Sequence, residues 1–252
     1  MDAIDAGPQA IQEEQYRFPY HYLDLVDSRH VPFVRPHLTA LREVAKRQLE
    51  PFVGQSILDA GCGDARFLFE LRYADAELFG ADYSEAAIGF ARAFNPRARF
   101  WVQSLTELDL GRRFDQIVCL ETLEHLPPET VPLAVDRLAD HLAEPGRIVV
   151  SVPSNLYKPD RKHYQHFSAE SLAQVLAPRF EVETVTGYGV DKRFYRPRFR
   201  TRRRAAKLLT SLAPKSELSR RLRDRVWAHY MAEYAVGDPE KCVGLLAVAR
   251  PR

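Results

Sequence analysis

The chain has 252 residues, enough for one large domain or two small ones, with 46% hydrophobic and 28% charged residues, an ordinary balance for a globular protein. It contains no run of eighteen apolar residues, which excludes a membrane-spanning helix, and its opening "MDAIDAGPQAIQEEQ" is acidic, without the apolar segment of a secretory signal. The net charge of +2 conceals an asymmetry: residues 191 to 225 hold fourteen Lys or Arg against three acids, an excess of +11, so the rest of the chain carries −9. The three cysteines, Cys62, Cys119 and Cys242, show no metal-ligand spacing. An odd number of thiols in strand-like or turn contexts fits a reducing, cytoplasmic location.

In chain order, an aromatic stretch "YRFPYHYLDL" (16–25) leads to a predicted helix "PHLTALREVAKRQLEPF" (36–52). Predicted strands then follow at "SILDA" (56–60), "ELFGAD" (77–82), "RFWVQ" (99–103), "DQIVCL" (115–120) and "RIVVSVP" (147–153). Between them lie helix-like stretches, "ARFLFELRYA", "SEAAIGFARAF" and "PETVPLAVDRLADHL", the second opening on Ser84 as an N-cap. A further helix, "SAESLAQVLA" (168–177), precedes a strand-like "FEVETVTGYG", and "CVGLLAVA" (242–249) is the last predicted strand. Nearly wholly apolar strands alternating with helices imply a parallel sheet covered on both faces. No repeat or low-complexity linker divides the chain. One domain is therefore expected over 1–252: a cap or lid at 1–50, a core at 51–189 and 241–252, and a basic helical insertion at 190–240.

Such a sheet binds ligands beyond the carboxyl ends of its strands. In "SILDAGCGDARF" (56–67), Gly61 and Gly63 stand there, between the first strand and a helix. A dinucleotide fold wants G-x-G-x-x-G, yet Arg66 occupies the third glycine's place, and no P-loop lysine is present. The second strand ends at Asp82, nineteen residues after Gly63, where a carboxylate can accept both hydroxyls of a ribose. The plainer alternatives are a tight turn for the glycines and a helix cap for Asp82.

As a set, "ILDAGCGDARFL", "LFGADYSEAAIGFARA" and "RFDQIVCLETLEHL" resemble the motifs of the class I S-adenosylmethionine-dependent methyltransferases, over roughly residues 52 to 180. The resemblance implies a doubly wound, Rossmann-like α/β fold: a seven-stranded, mostly parallel sheet with an antiparallel last strand at 242–249 and helices on both faces. It implies S-adenosylmethionine as cofactor. Asp59 would orient the amino group of its methionine moiety, Gly61, Cys62 and Gly63 would leave room for its backbone, Asp82 would hold the ribose and Tyr83 would flank the adenine. Where relatives often carry an acid for the adenine amino group, this chain has "VQSLTEL", leaving Ser104 and the Leu105 backbone. Glu121 would lie near the sulfonium, and Ala65 departs from a frequent third glycine. Acids suit a cationic ligand.

Methyl transfer is an in-line displacement, and a hydroxyl acceptor benefits from a base. The candidates are His125, His163 and His166. Three readings stay open. One of these histidines is the base; or Glu121, Glu124, His125 and His163 bind a divalent cation; or the histidines only pack and cap. The E-x-x-E-H arrangement resembles that of ubiquinone-biosynthesis O-methyltransferases and of small-RNA terminal 2′-O-methyltransferases. Tyr16, Tyr20 and His21, in a segment expected to close as a lid, are candidates for the acceptor pocket.

The basic segment 192–225 admits three partners: an anionic small substrate, RNA stacked on Phe194, Tyr195 and Phe199, or an anionic membrane. Leu218, Leu222, Val226 and Met231 are expected near one helical face. The alternative is an insertion whose arginines meet the acids of the body. A small-molecule, glycan or lipid-linked acceptor is preferred over RNA, because no RNA-binding module is recognised. The expected activity is methyl transfer to an acceptor, with oxygen favoured over nitrogen. Its rivals are a metal-assisted RNA 2′-O-methyltransferase and a catalytically silent cofactor-binding scaffold.

Overall fold

The computed structural model describes residues 7–26, 33 and 35–252. The first six residues of the expected cap, with 27–32 and 34, therefore lie outside the described residues. The amino-terminal segment supplies α1 (Pro8–Gln15), a 3₁₀ turn at Tyr20–Tyr22 running into α2 (Leu23–Val26), and α3 (Pro36–Leu49). The core continues with β1 (Gln55–Ala60), α4 (Arg66–Glu70), β2 (Ala76–Asp82), α5 (Glu85–Phe94), β3 (Arg99–Val102), β4 (Phe114–Leu120), α6 (Val131–Asp140), β5 (Leu142–Pro153), α7 (Ala169–Leu176) and β6 (Phe180–Val190). After the helical insertion, α8 (Pro197–Leu212) and α9 (Glu217–Glu233), the chain closes with β7 (Val236–Gly237) and β8 (Cys242–Pro251).

The strands form one sheet in the order β3-β2-β1-β4-β5-β8-β6-β7. β1 to β5 are parallel, and β8 inserts antiparallel between β5 and β6. The order reverses beside β1, so the ends of β1 and β4 open the crevice that holds the site. The expected seven strands become eight: β7 pairs with β6 through only two residues, Val236 and Gly237, too few to carry a periodic signal. Helix α4 stops at Glu70 rather than running ten residues, because Leu71 and Ala74 close tight turns, donating to Leu68 O and Leu71 O, that feed the chain into β2.

Alternate residues of each strand enter opposite cores, which is why the strands read as continuous apolar runs. Leu58, Ile117, Cys119 and Val150 pack with α6 and α7, while Ile57, Val118, Val149 and Val248 pack with α3, α4 and α5. Ser84 caps α5 as expected, its hydroxyl accepting the Ala87 N–H at 3.1 Å. All three cysteines are buried and free. The insertion builds a third cluster from Tyr195, Phe199, Val226 and Tyr230 around Phe33 and Ala40. Leu222 and Met231 flank that cluster, but Leu218 does not join them: in the first turn of α9 it is Ser219 that faces α8, buried 3.3 Å from the Thr210 hydroxyl, and Leu218 is 66% exposed. Among the described residues, no helix is long and apolar enough to cross a membrane.

Candidate functional site

The turn after β1 is built from left-handed residues. Gly61 and Gly63 have φ of +78° and +53°, and Ala65, at φ +57°, takes the same conformation at a steric cost a glycine would not bear. A Cβ on Gly61 would overlap the Thr122 side chain, and one on Gly63 would overlap the Tyr16 hydroxyl. Both glycines are therefore required by close approach as well as by φ. Arg66 is buried and ion-paired, its guanidinium donating to Asp24 of α2 at 3.1 Å and to Glu70 at 2.6 Å. It fastens the amino-terminal segment to α4.

Asp82 is buried at the end of β2. Its Oδ2 accepts the Gly63 N–H at 2.8 Å and its Oδ1 accepts the Ser84 N–H at 2.9 Å. Burial lifts its pKa to about 6 against the pull of those two bonds. The two donors fix the plane of the carboxylate, and each oxygen keeps a lone pair for a ligand hydroxyl. Asp59, 2% exposed at the end of β1, differs: among the described residues neither of its oxygens has a hydrogen-bond partner. Burial first, then the charges of Asp82 and Asp64, push it up to about 8. A buried carboxyl left unpartnered at the mouth of a ligand crevice awaits a cation.

Sequence reasoning missed Asp64, which is fully buried and accepts from the His21 ring at 2.9 Å and from the His21 backbone N–H at 3.3 Å. Its partner lies 43 residues earlier, and no local signal joins them. Tyr16, Tyr20 and His21 all stand in the cavity wall. α1 reaches across the end of β2, where the Tyr83 hydroxyl donates to Gln9 O and the Ser84 hydroxyl to Glu13 Oε1 at 3.0 Å. Ser104 and Leu105 line the same cavity, Ser104 also capping the short turn Leu105–Glu107. The Cys62 backbone lines it too, but its thiol turns toward Gly80 of β2, and burial raises its pKa.

Beyond β4, Glu121 has a φ of +53°, a strained conformation held by its N–H donating to Ser151 O at 3.0 Å. The Ser151 hydroxyl donates to Glu121 Oε1 at 3.1 Å, and the Tyr188 ring of β6 stands beside this carboxyl. Burial nevertheless raises Glu121. Glu124 is buried with Oε2 unpartnered, and burial followed by the Glu121 charge raises it further. His125 Nδ1 lies 2.9 Å from Lys162 O. A carbonyl only accepts, so Nδ1 carries the proton and Nε2 is left with its lone pair. The His163 ring centroid is 4.9 Å away, and burial lowers both imidazoles, His125 to about 4 and His163 to about 3. His166 does not line the cavity. It stands behind His163, with Nε2 at 3.0 Å from His163 Nδ1.

Ligating atoms of Glu124, His125 and His163 lie within 4.8 Å of one another. These side chains share one cavity of about 330 Å³ with Asp59, Asp82 and Glu121. A glycine turn, an acid at the end of β2 and an acid-lined crevice on this sheet order define a nucleoside-cofactor site of the methyltransferase class.

The methyltransferase-domain family matches residues 33–180, more than half of the chain. The chain belongs to that family, the class I S-adenosylmethionine-dependent methyltransferases. It is 32% identical over 110 residues to the magnesium-protoporphyrin O-methyltransferase of Synechocystis sp., covering 41% of this chain and 46% of that one. It is also 32% identical over 129 residues to a ubiquinone biosynthesis O-methyltransferase of Alkalilimnicola ehrlichii, covering 49% and 51%. The chain thus spans about half the length of the curated relatives it matches. The fold is shared with the N-methyltransferase NodS of Bradyrhizobium japonicum in complex with S-adenosyl-L-homocysteine, with a TM-score of 0.63 at 15% identity over 98% of this chain and 99% of that chain.

Proposed function

We propose that the protein transfers the methyl group of S-adenosylmethionine to a hydroxyl oxygen of a small molecule, sugar or glycolipid. The cofactor supplies an electrophilic methyl on a sulfonium. Asp59 would hold the amino group of its methionine part, Asp82 the ribose hydroxyls, Ser104 and the Leu105 backbone the adenine amino group beside Tyr83, and Glu121 would lie toward the sulfonium. Tyr16, Tyr20 and His21 exclude water from above. The observation that carries the oxygen reading is the pair His125 and His163, uncharged at neutral pH and opening on the acid-lined cavity. Nε2 of His125 is free to take a hydroxyl proton, and His166 positions His163 through their shared hydrogen bond.

The test is turnover of S-adenosylmethionine against hydroxyl, carboxyl and amine acceptors. For a hydroxyl acceptor, His125→Gln or His163→Gln is expected to lower kcat by about 10²–10⁴ while leaving S-adenosylhomocysteine affinity unchanged. Turnover confined to amines, or indifferent to both histidines, would overturn the oxygen reading. Cofactor binding without turnover on any acceptor would favour a silent scaffold.

A second reading rests on the close approach of Glu124, His125 and His163. These would hold a divalent cation, which would orient and acidify a hydroxyl. Loss of turnover on chelation, restored by added Mg²⁺, would select it over a histidine base. An RNA acceptor draws little support, since two of the three aromatics that could stack on bases, Tyr195 and Phe199, are buried in the insertion's own core, leaving only Phe194 exposed.

A further inference from the structure

Helix α8 carries Arg198, Arg200, Arg202, Arg203, Arg204 and Lys207 and no acid. For four of these cations the expectation that they meet the acids of the body fails in the structure. Among the described residues, Arg198, Arg202, Arg204 and Lys207 have no ion-pair partner. In α9, by contrast, Arg220 and Arg221 pair with Glu217, and Arg220 also with Asp224. The inner face of α8 is settled by buried Phe199, Ala206 and Thr210. On the opposite side Leu208 and Leu212, four residues apart and so one above the other, are 62% and 74% exposed. Exposed Thr201 and Ala205 continue that stripe toward the amino end of the helix. The exposed Leu218 stands at the same end of the helix pair as Leu212, beyond the connection 213–216. An outward leucine stripe flanked by unneutralised cations is the pattern of a helix lying in a lipid interface.

We propose that α8 docks this protein on an anionic bilayer, its leucines entering the headgroup boundary and its unpaired cations meeting acidic lipid headgroups. Charge complementarity selects the lipid and the exposed leucines select a bilayer over RNA: of the three aromatics available for base stacking, Tyr195 and Phe199 face inward and Phe194 alone is exposed.

The test is co-sedimentation of the full chain with phosphatidylcholine vesicles, with and without a third of phosphatidylglycerol. Binding is expected only to the anionic vesicles and is expected to weaken as salt rises. It should fall by roughly tenfold in L208S/L212S and again in R202Q/R204Q/K207Q, with melting temperatures unchanged because every altered side chain is exposed. Equal binding to both vesicle types would overturn the proposal. So would anionic binding indifferent to the two leucines, or retention of an RNA oligonucleotide without retention on vesicles.

Discussion

Asp59→Asn is the most informative change the structure offers, because it is expected to stabilise the free protein while disabling it. The folded carboxyl is raised to about 8 from an ordinary 3.8 by burial and by two neighbouring acids. A group raised in this way contributes stability that is fully present below pH 3.8 and is lost as pH rises toward 8. Between pH 3.8 and pH 7 each unit costs about 1.4 kcal/mol, which gives an upper figure of about 4 kcal/mol at neutral pH. Asparagine, of the same shape and without the titration, escapes that cost. With allowance for relaxation around the carboxylate, a gain of roughly 2–4 kcal/mol is expected at pH 7, or ~5–15 °C in melting temperature for a chain of this size. The assay is thermal melting without cofactor at pH 5, 6, 7 and 8. The gain should be small at pH 5 and largest at pH 8. A variant no more stable than the native protein at pH 7, or a difference that ignores pH, would refute the reasoning. The same variant should bind S-adenosylhomocysteine about 10–150-fold more weakly, the worth of a charge-assisted hydrogen bond.

Asp82→Asn replaces an acceptor of two backbone N–H groups by a group that accepts only one, so S-adenosylhomocysteine affinity should fall by about 1.5–3 kcal/mol in calorimetric titration. Gly63→Ala forces a methyl against the Tyr16 hydroxyl at positive φ and should weaken binding by at least about tenfold, with partial recovery in Gly63→Ala/Tyr16→Phe. His125 and His163, lowered to about 4 and 3, stay neutral down to about pH 5. A kcat/KM profile should therefore owe no acid limb to these rings: a limb near pH 6 belongs to Asp82 and should be lost in Asp82→Asn, and a limb near pH 6.5 that survives in Asp82→Asn would show that these rings titrate normally.

The ligand end of the sheet was legible because its signals are local. Gly61, Gly63 and Asp82 stand at strand ends marked by apolar runs, and Ser84 announces α5 by its chemistry alone. What stayed hidden depends on the chain folding back on itself. Asp64 meets His21 only because the aromatic stretch crosses the glycine turn. Tyr188 reaches Glu121 because β8 inserts antiparallel between β5 and β6 and sets the register of β6. The Lys162 carbonyl that fixes the His125 tautomer comes from a loop with no motif. His166 looks equivalent to His163 in "KHYQHF", yet the turn sends one toward the cavity and the other behind it. Leu218 follows the helical pattern of α9, but at that turn the neighbouring Ser219 is the residue that meets α8.

The distribution of partners among the acids of the cavity separates architecture from function. Asp64 is hydrogen-bonded by His21, Asp82 by two backbone donors, and Glu121 by Ser151. Each of these is oriented before any ligand arrives, at the cost of burial but with its hydrogen bonds in place. Asp59 and one oxygen of Glu124 have no such compensation. They stand at opposite ends of the cavity's chemistry, one beside the glycine turn and the other beside His125. Folding alone gives no reason to leave these two carboxyls unpartnered, since an amide or an apolar side chain in either place would be more stable. Under the proposed function a positive group would complete them: the amino group of the methyl donor at Asp59, and a proton or a metal ion at Glu124 beside His125 and His163.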